Sequence, residues 1–162
     1  MYDVVLEFPK MKVGVTVRDG YVVGIKYLPL SAPSVPARNA LAEKAAKQLA
    51  SYRDNPDTVF DLPVVVEGTP LQKAVWQAMC AIPRGRTRTY GDIASELAAH
   101  FPADARTIGQ ACGDNRLPIV IPCHRVVAAD GIGGFGHATS GYLIEVKRWL
   151  LMHEAEEFAL KP

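Results

Sequence analysis

The sequence predicts an α/β protein in two parts: a small N-terminal α/β unit over residues 1–67, and a mostly helical C-terminal domain over 68–162 that carries a helix-turn-helix. Three observations predict it. The first third alternates apolar and polar residues as strands do, then changes to helical spacing. From Gly68 the texture becomes helix, break and helix, with arginines at the junctions. Near the end, the run "IPCHRVV" (121–127) sets a thiol beside an imidazole in an otherwise apolar stretch.

The elements follow in order. In "MKVGVTVRDGYVVGIKYLPL", Val13, Val15 and Val17 alternate with other residues, and Val22, Val23 and Ile25 follow the pair Asp19-Gly20. Asp-Gly between two such runs signals a hairpin. "ARNALAEKAAKQLASYRD" brings Ala42, Ala45, Ala46, Leu49 and Tyr52 onto one helical face. "NPDTVFDLPVVVEGTP" predicts a short strand at Val64 to Val66, completing a small α/β unit.

"TPLQKAVWQAMCAI" opens a helix, with Thr69 as N-cap and Pro70 at the first helical position. Pro83-Arg84-Gly85 breaks it. A second helix starts at Thr89, whose partner Asp92 sits three residues on in capping-box order. "RTIGQACG" is a third, short helix. Helix, turn and helix with basic junctions is the pattern of a DNA reader, although such packing also serves proteins that never touch DNA. "GDNRLPIVIPCHRVV" reads as a loop entering a strand-like segment, "GIGGFGHATSG" as a glycine-rich loop, and "YLIEVKRWLLMHEAEEF" as an amphipathic terminal helix.

Composition narrows the class. No apolar run approaches the roughly 20 residues that cross a bilayer. Asp3 and Glu7 lie where a signal peptide needs positive charge, so a soluble, cytoplasmic protein is expected. Three cysteines, at 80, 112 and 123, without a C-x-x-C pair, speak against a disulfide framework or a cysteine-rich metal site. Cys80 and Cys112 sit in helical patterns and read as buried, inert thiols, and Trp76 and Trp149 read as core. Residues 1–67 carry eight basic and eight acidic side chains, whereas 84–125 carry six basic residues, all arginine, against four acids. The arginine fork suits phosphate recognition; a solvated surface explains the same charges equally well.

Cys123 differs from the other cysteines in having a base next to it. Adjacent residues in extended backbone face opposite ways. Either the pair is core packing, or the backbone bends and something else completes the contact.

"RTIGQACGDNRLPIVIPCHRVV", with "RTYGDIA" upstream and "KRWLLMHE" downstream, closely resembles the O6-alkylguanine-DNA alkyltransferases, also called methylated-DNA–protein-cysteine methyltransferases. The resemblance covers about residues 69–156. The N-terminal third shares only the order of strands and helix, with nothing like the zinc ligands some members carry. The family implies a ribonuclease-H-like N-terminal unit and a winged-helix-like C-terminal domain. For this chain no cofactor and no metal are expected.

The resemblance also implies the chemistry. Cys123 would accept the alkyl group as a thiolate, a water would bridge it to His124, and Glu154 would hold the other imidazole nitrogen. Asn115 would fasten the turn before Cys123. This chain has Arg116 where a proline usually follows, and that arginine would meet a phosphate. Arg106 would fill the gap left by a flipped base. Tyr90 would press on the backbone and give a proton to the departing guanine. Arg88, Thr89, Tyr90, Arg106 and Arg116 form the expected DNA-facing set. Val126, Ser140 and Arg125 form the expected pocket, with Arg125 leaning to a structural role and Ser140 equally a plain loop serine. The implied partner is double-stranded DNA containing O6-alkylguanine, with O4-alkylthymine as a further substrate, and a monomer is expected. One molecule would repair one base.

Three other functions compete with this one. A cysteine hydrolase built on Cys123, His124 and Glu154 would regenerate its thiol, and its partners usually come from separate segments. A non-catalytic reader of alkylated DNA would have no use for Cys123. A transcription regulator would need an effector or dimerisation segment, and none is visible.

Overall fold

The computed structural model describes residues 1–159, and the side chains of residues 1–155. The last three residues of the expected C-terminal domain lie outside the described residues. The chain divides into two units, the first Met1–Val66 and the second beginning at Glu67.

The first unit is a three-stranded antiparallel meander, β1 (Val4–Glu7), β2 (Lys12–Arg18) and β3 (Tyr21–Leu28), covered by helix α1 (Ala40–Asp54). Arg18 pairs with Tyr21, so Asp19 and Gly20 alone make the turn. Both have positive φ, 52° and 81°, as the twist of a two-residue hairpin requires. Asn39 caps α1 by accepting from the Ala42 amide at 2.8 Å. Ala42, Ala45, Leu49 and Tyr52 are buried, while Ala46 is only partly so. With Val13, Val15, Val22 and Ile25 they form the core.

Two expectations change in this unit. β1 is a strand that no alternating pattern announces; it registers Val4 against Val15. The strand at Val64 to Val66 shrinks to one bridge, Val22 to Val64. Pro63 ahead of it has no N–H for a ladder, and three residues cannot sustain one.

In the second unit, α2 (Pro70–Cys80), α3 (Tyr90–Leu97) and α4 (Ala105–Gly113) pack pairwise, and α5 (Tyr142–Ala159) lies against the turn at Cys123–Arg125. Capping boxes begin α2 (Thr69 with Gln72) and α3 (Thr89 with Asp92), and Asp104 caps α4. A short parallel pairing of β4 (Arg88–Thr89) with β5 (Val126–Val127) joins the start of α3 to the residues after Cys123.

The segment from Leu117 to Arg125 is not a strand. Pro118 and Pro122 deny it ladder donors, the Ile121 amide turns back to the Leu117 carbonyl at 2.8 Å, and Cys123–Arg125 is one 3-10 turn. Ile119 adopts φ 75°, a left-handed conformation that costs a β-branched residue dearly. Two further readings are corrected. Cys80 is exposed, because it ends α2 where the helix leaves its packing neighbours. Trp149 is half-buried and stacks on His153 with ring centroids 4.6 Å apart.

Candidate active site

Cys123 and His124 are both buried at the 3-10 turn, so the backbone bends where the pair occurs. Asn115 pins the approach to that turn. Its side chain accepts from the Leu117 amide and donates to the Ile121 carbonyl, each at 2.9 Å. Those two bonds close the loop that holds Ile119 in its strained conformation. Arg116 beside it is exposed.

Glu154 reaches the turn from α5. Lys147, Leu150 and Glu154 fall on one helical face (i, i+3, i+7), and all three are buried. Glu154 Oε2 lies 2.8 Å from His124 Nε2, and the Arg125 guanidinium donates to both Glu154 oxygens at 3.0 and 3.1 Å. Arg125 also donates to the Ile82 carbonyl at 2.6 Å, and Arg84 to the Glu154 carbonyl at 2.9 Å. Burial opposes ionisation of Glu154, but the bonds from His124 and Arg125 and the Arg125 charge outweigh it and hold the carboxyl well below its usual range.

The protonation of His124 follows. An ionised Glu154 only accepts, so Nε2 must carry the proton it donates. Burial lowers the imidazole pKa, with Glu154 opposing in part. The ring is therefore neutral near pH 7, with its lone pair on Nδ1. That atom is buried and makes no hydrogen bond within the protein. It is a base without a proton to hold.

Cys123 is pushed up to about 11 by burial, while Asn115 and Lys147 pull it down. Its resting form is the neutral thiol. Lys147 belongs to none of the site sets that the sequence predicts. It is fully buried, and its Nζ donates to the carbonyls of Val126 (2.8 Å) and Gly134 (2.9 Å) and to the Tyr90 hydroxyl (3.4 Å). The rings of Tyr90 and Phe135 face it at 5.7 and 5.8 Å. Among the described residues none of its partners is a carboxylate. Burial pushes it down to about 8, against the pull of Cys123 and Cys112. A cation on the apolar stripe of a helix was the signal that could have found it.

Tyr90, at the first position of α3, donates to the Gly134 carbonyl at 3.3 Å. Burial, helped by Cys112 and Cys123, pushes its phenol up to about 12, so it keeps its proton. Tyr90, Cys112 and Cys123 line a cleft of about 420 Å³ whose walls are α4, from Ala105 to Gly113, and the loop from Gly134 to Thr139. Arg106, exposed at the second position of α4, lies at its rim. Of the other expected residues, Ser140 is exposed and does not line the cleft, though its neighbour Thr139 does. Val126 is buried and meets the site through its carbonyl. Arg88 is paired with Glu96, and Thr89 is engaged as the α3 cap. Among the described residues no group of three or more His, Cys, Asp or Glu could hold a metal ion. Among them, too, no helix is long and apolar enough to cross a membrane.

Comparison with known proteins identifies relatives of this chain. Residues 70–156 match the model of the 6-O-methylguanine DNA methyltransferase DNA-binding domain. The chain is 40% identical to the regulatory protein ada of Salmonella typhimurium over 121 residues, which is 74% of this chain and 32% of that protein. It is 41% identical to a methylated-DNA–protein-cysteine methyltransferase of Methanosarcina barkeri over 113 residues, 68% of this chain and 66% of that one. The chain thus spans about a third of the first relative and just under two thirds of the second. Among solved structures, the Mycobacterium tuberculosis O6-methylguanine methyltransferase superposes with a TM-score of 0.76 at 30% identity, over 96% of this chain and 94% of that one. A Mycobacterium tuberculosis relative in complex with DNA gives 0.75 at 32% identity, over 94% and 91%.

Proposed function

The chain belongs to the 6-O-methylguanine DNA methyltransferase family, and from that premise we propose that it repairs O6-alkylated guanine in DNA by moving the alkyl group permanently onto Cys123. The observation that carries the proposal is the buried His124 oriented by an ionised Glu154, its unpartnered Nδ1 on the residue next to the cleft-lining thiol.

The Cys123 proton passes through a bridging water to His124 Nδ1, and Glu154 stabilises the imidazolium. The thiolate forms a C–S bond to the alkyl carbon as the bond from that carbon to guanine O6 breaks. The departing base gains a proton, for which the Tyr90 phenol is placed at the cleft wall. Lys147 supplies a fixed positive charge while the thiolate exists. The product is a thioether, and no residue here would cleave it.

The partner is double-stranded DNA carrying O6-alkylguanine, with O4-alkylthymine a second substrate. The reading takes α3, the turn after it and α4 as a helix-turn-helix inside a winged-helix-like domain, and the first unit as ribonuclease-H-like. The lesion flips into the cleft, and Arg106, exposed at the start of α4, occupies the vacated stack. Arg116 is the added phosphate contact. The protein acts as a cytoplasmic monomer.

Mass spectrometry after incubation with O6-methylguanine DNA tests this. The Cys123 peptide should gain one methyl group per protein molecule. Recovery of an unmodified thiol through repeated turnovers, or turnover of an ester or peptide, would overturn it. For Arg106→Ala, repair in duplex should fall far more than transfer from the free alkylated base; equal losses would remove the flipping role.

A further inference from the structure

The loop wall of the cleft is a tight turn, Phe135 to Ala138, closed by two backbone bonds of 2.9 and 2.8 Å. Gly136 and His137 at its tip have positive φ, 56° and 67°. Glycine adopts that conformation freely; histidine there requires something to hold it. The turn is fastened at both ends. At its base, the Gly134 carbonyl accepts from Lys147 and Tyr90. At its tip, His137 Nε2 lies 3.0 Å from Asp114 Oδ1, and Asp114 is itself held by the Gln72 amide at 3.1 Å.

Sterics sharpen this. A Cβ at Gly113 would sit 2.4 Å from the His137 ring, so the imidazole lies flat on the backbone of α4. Gly109, one turn earlier on the same face, faces the Tyr90 ring in the same way, more loosely, at 3.8 Å. Two rings therefore bracket the glycine-bearing face of α4, and both line the cleft beside Cys123. The contact of His137 with Asp114 is about half exposed and by itself weak. The close fit against Gly113 is what fixes the ring.

We propose that His137, held by Asp114 and seated on Gly113, is the end wall of the cleft and determines how large an O6-substituent can reach Cys123. This rests on the alkyl-transfer reading above. It predicts that removing the ring and displacing it should have the same effect on selectivity.

The experiment compares single-turnover rates with single-stranded oligonucleotides carrying O6-methylguanine or O6-benzylguanine. His137→Asn tolerates the left-handed turn but shortens the side chain and deletes the ring. Gly113→Ala keeps the imidazole and pushes it off the helix. Both should raise the benzyl-to-methyl rate ratio by about tenfold or more, the scale on which pocket walls discriminate apolar groups. An unchanged ratio, a fall of both rates together, or a change in only one folded variant overturns the assignment. If Gly113→Ala does not fold by circular dichroism, His137→Asn decides alone. Should the wild-type protein fail to modify Cys123 with either substrate, the reaction reading has failed; an active wild type with an unmoved ratio sinks only the wall.

Discussion

His124 and Glu154 stand thirty residues apart in the chain and meet through one 2.8 Å hydrogen bond, both essentially removed from solvent. The same carboxylate also accepts twice from Arg125. One group thus sets the imidazole tautomer and neutralises a guanidinium, joining α5 to the reactive turn.

Glu154→Gln should therefore damage both stability and chemistry. It keeps the shape but leaves Arg125 without its counter-charge, at a cost of about 3–5 kcal/mol for a broken buried pair. Urea unfolding should show that loss, and alkyl transfer should slow by about 10²-fold, the typical worth of a positioned base. Unchanged transfer in a folded variant would contradict the role given to Glu154.

Acid should reproduce the structural half of that loss. The folded-state pKa of Glu154 is depressed below the ordinary 4.5, so its stabilisation is present above that value and drains away as pH falls beneath it. The wild-type urea midpoint should converge on that of Glu154→Gln as the solution is acidified. Parallel curves would argue against a depressed carboxyl.

The pH dependence of transfer should follow His124 on the acid side. A protonated imidazole cannot take the Cys123 proton, and burial lowers its pKa below the ordinary 6.5. Transfer should hold at pH 6.5 and fail only in more acid solution. By contrast, a small reagent such as iodoacetamide in His124→Ala should react faster as pH climbs toward about 11, where the Cys123 thiol ionises.

Asn115→Ala removes the two bonds that close the loop over Ile119. Leaving a partly buried amide and carbonyl unpaired costs about 1–3 kcal/mol. Amide exchange at residues 117–124 should accelerate, and transfer should slow even where global unfolding changes little. Unaltered exchange in this segment would show that the turn holds without its asparagine.

Lys147→Met separates charge from packing. An ammonium this deeply buried is costly to desolvate, so the unfolding temperature should stay level or rise, while transfer drops by about tenfold or more as a preorganised charge is lost. A variant with unaltered transfer would make Lys147 a structural tie alone.

Local signals made much of the fold legible. The caps Thr69 and Thr89, Pro70, and the Asp19-Gly20 turn each declare themselves within four residues. Cys123 was visible because a base adjoins it, but Glu154 reached the site only through family resemblance, since no local pattern says that α5 returns to the reactive turn. The run from Leu117 to Arg125 misled, because an apolar stretch too short for periodicity fits strand and turn alike. Lys147 hid within an ordinary amphipathic pattern. His137 sat in a glycine-rich loop whose closure depends on contacts with α4.

On the proposed reading, the internal use of arginine has a consequence for the search along DNA. Of the six arginines between residues 84 and 125, Arg125 and Arg84 bond to backbone carbonyls and the carboxylate inside the unit, and Arg88 is matched with Glu96. Only Arg86, Arg106 and Arg116 are exposed. Each phosphate neutralised steepens the logarithmic salt dependence of binding by about 0.9, so few displaced counterions and a shallow slope are expected. Brief, loosely held encounters would let a protein that is spent in a single event sample many undamaged sites before committing itself.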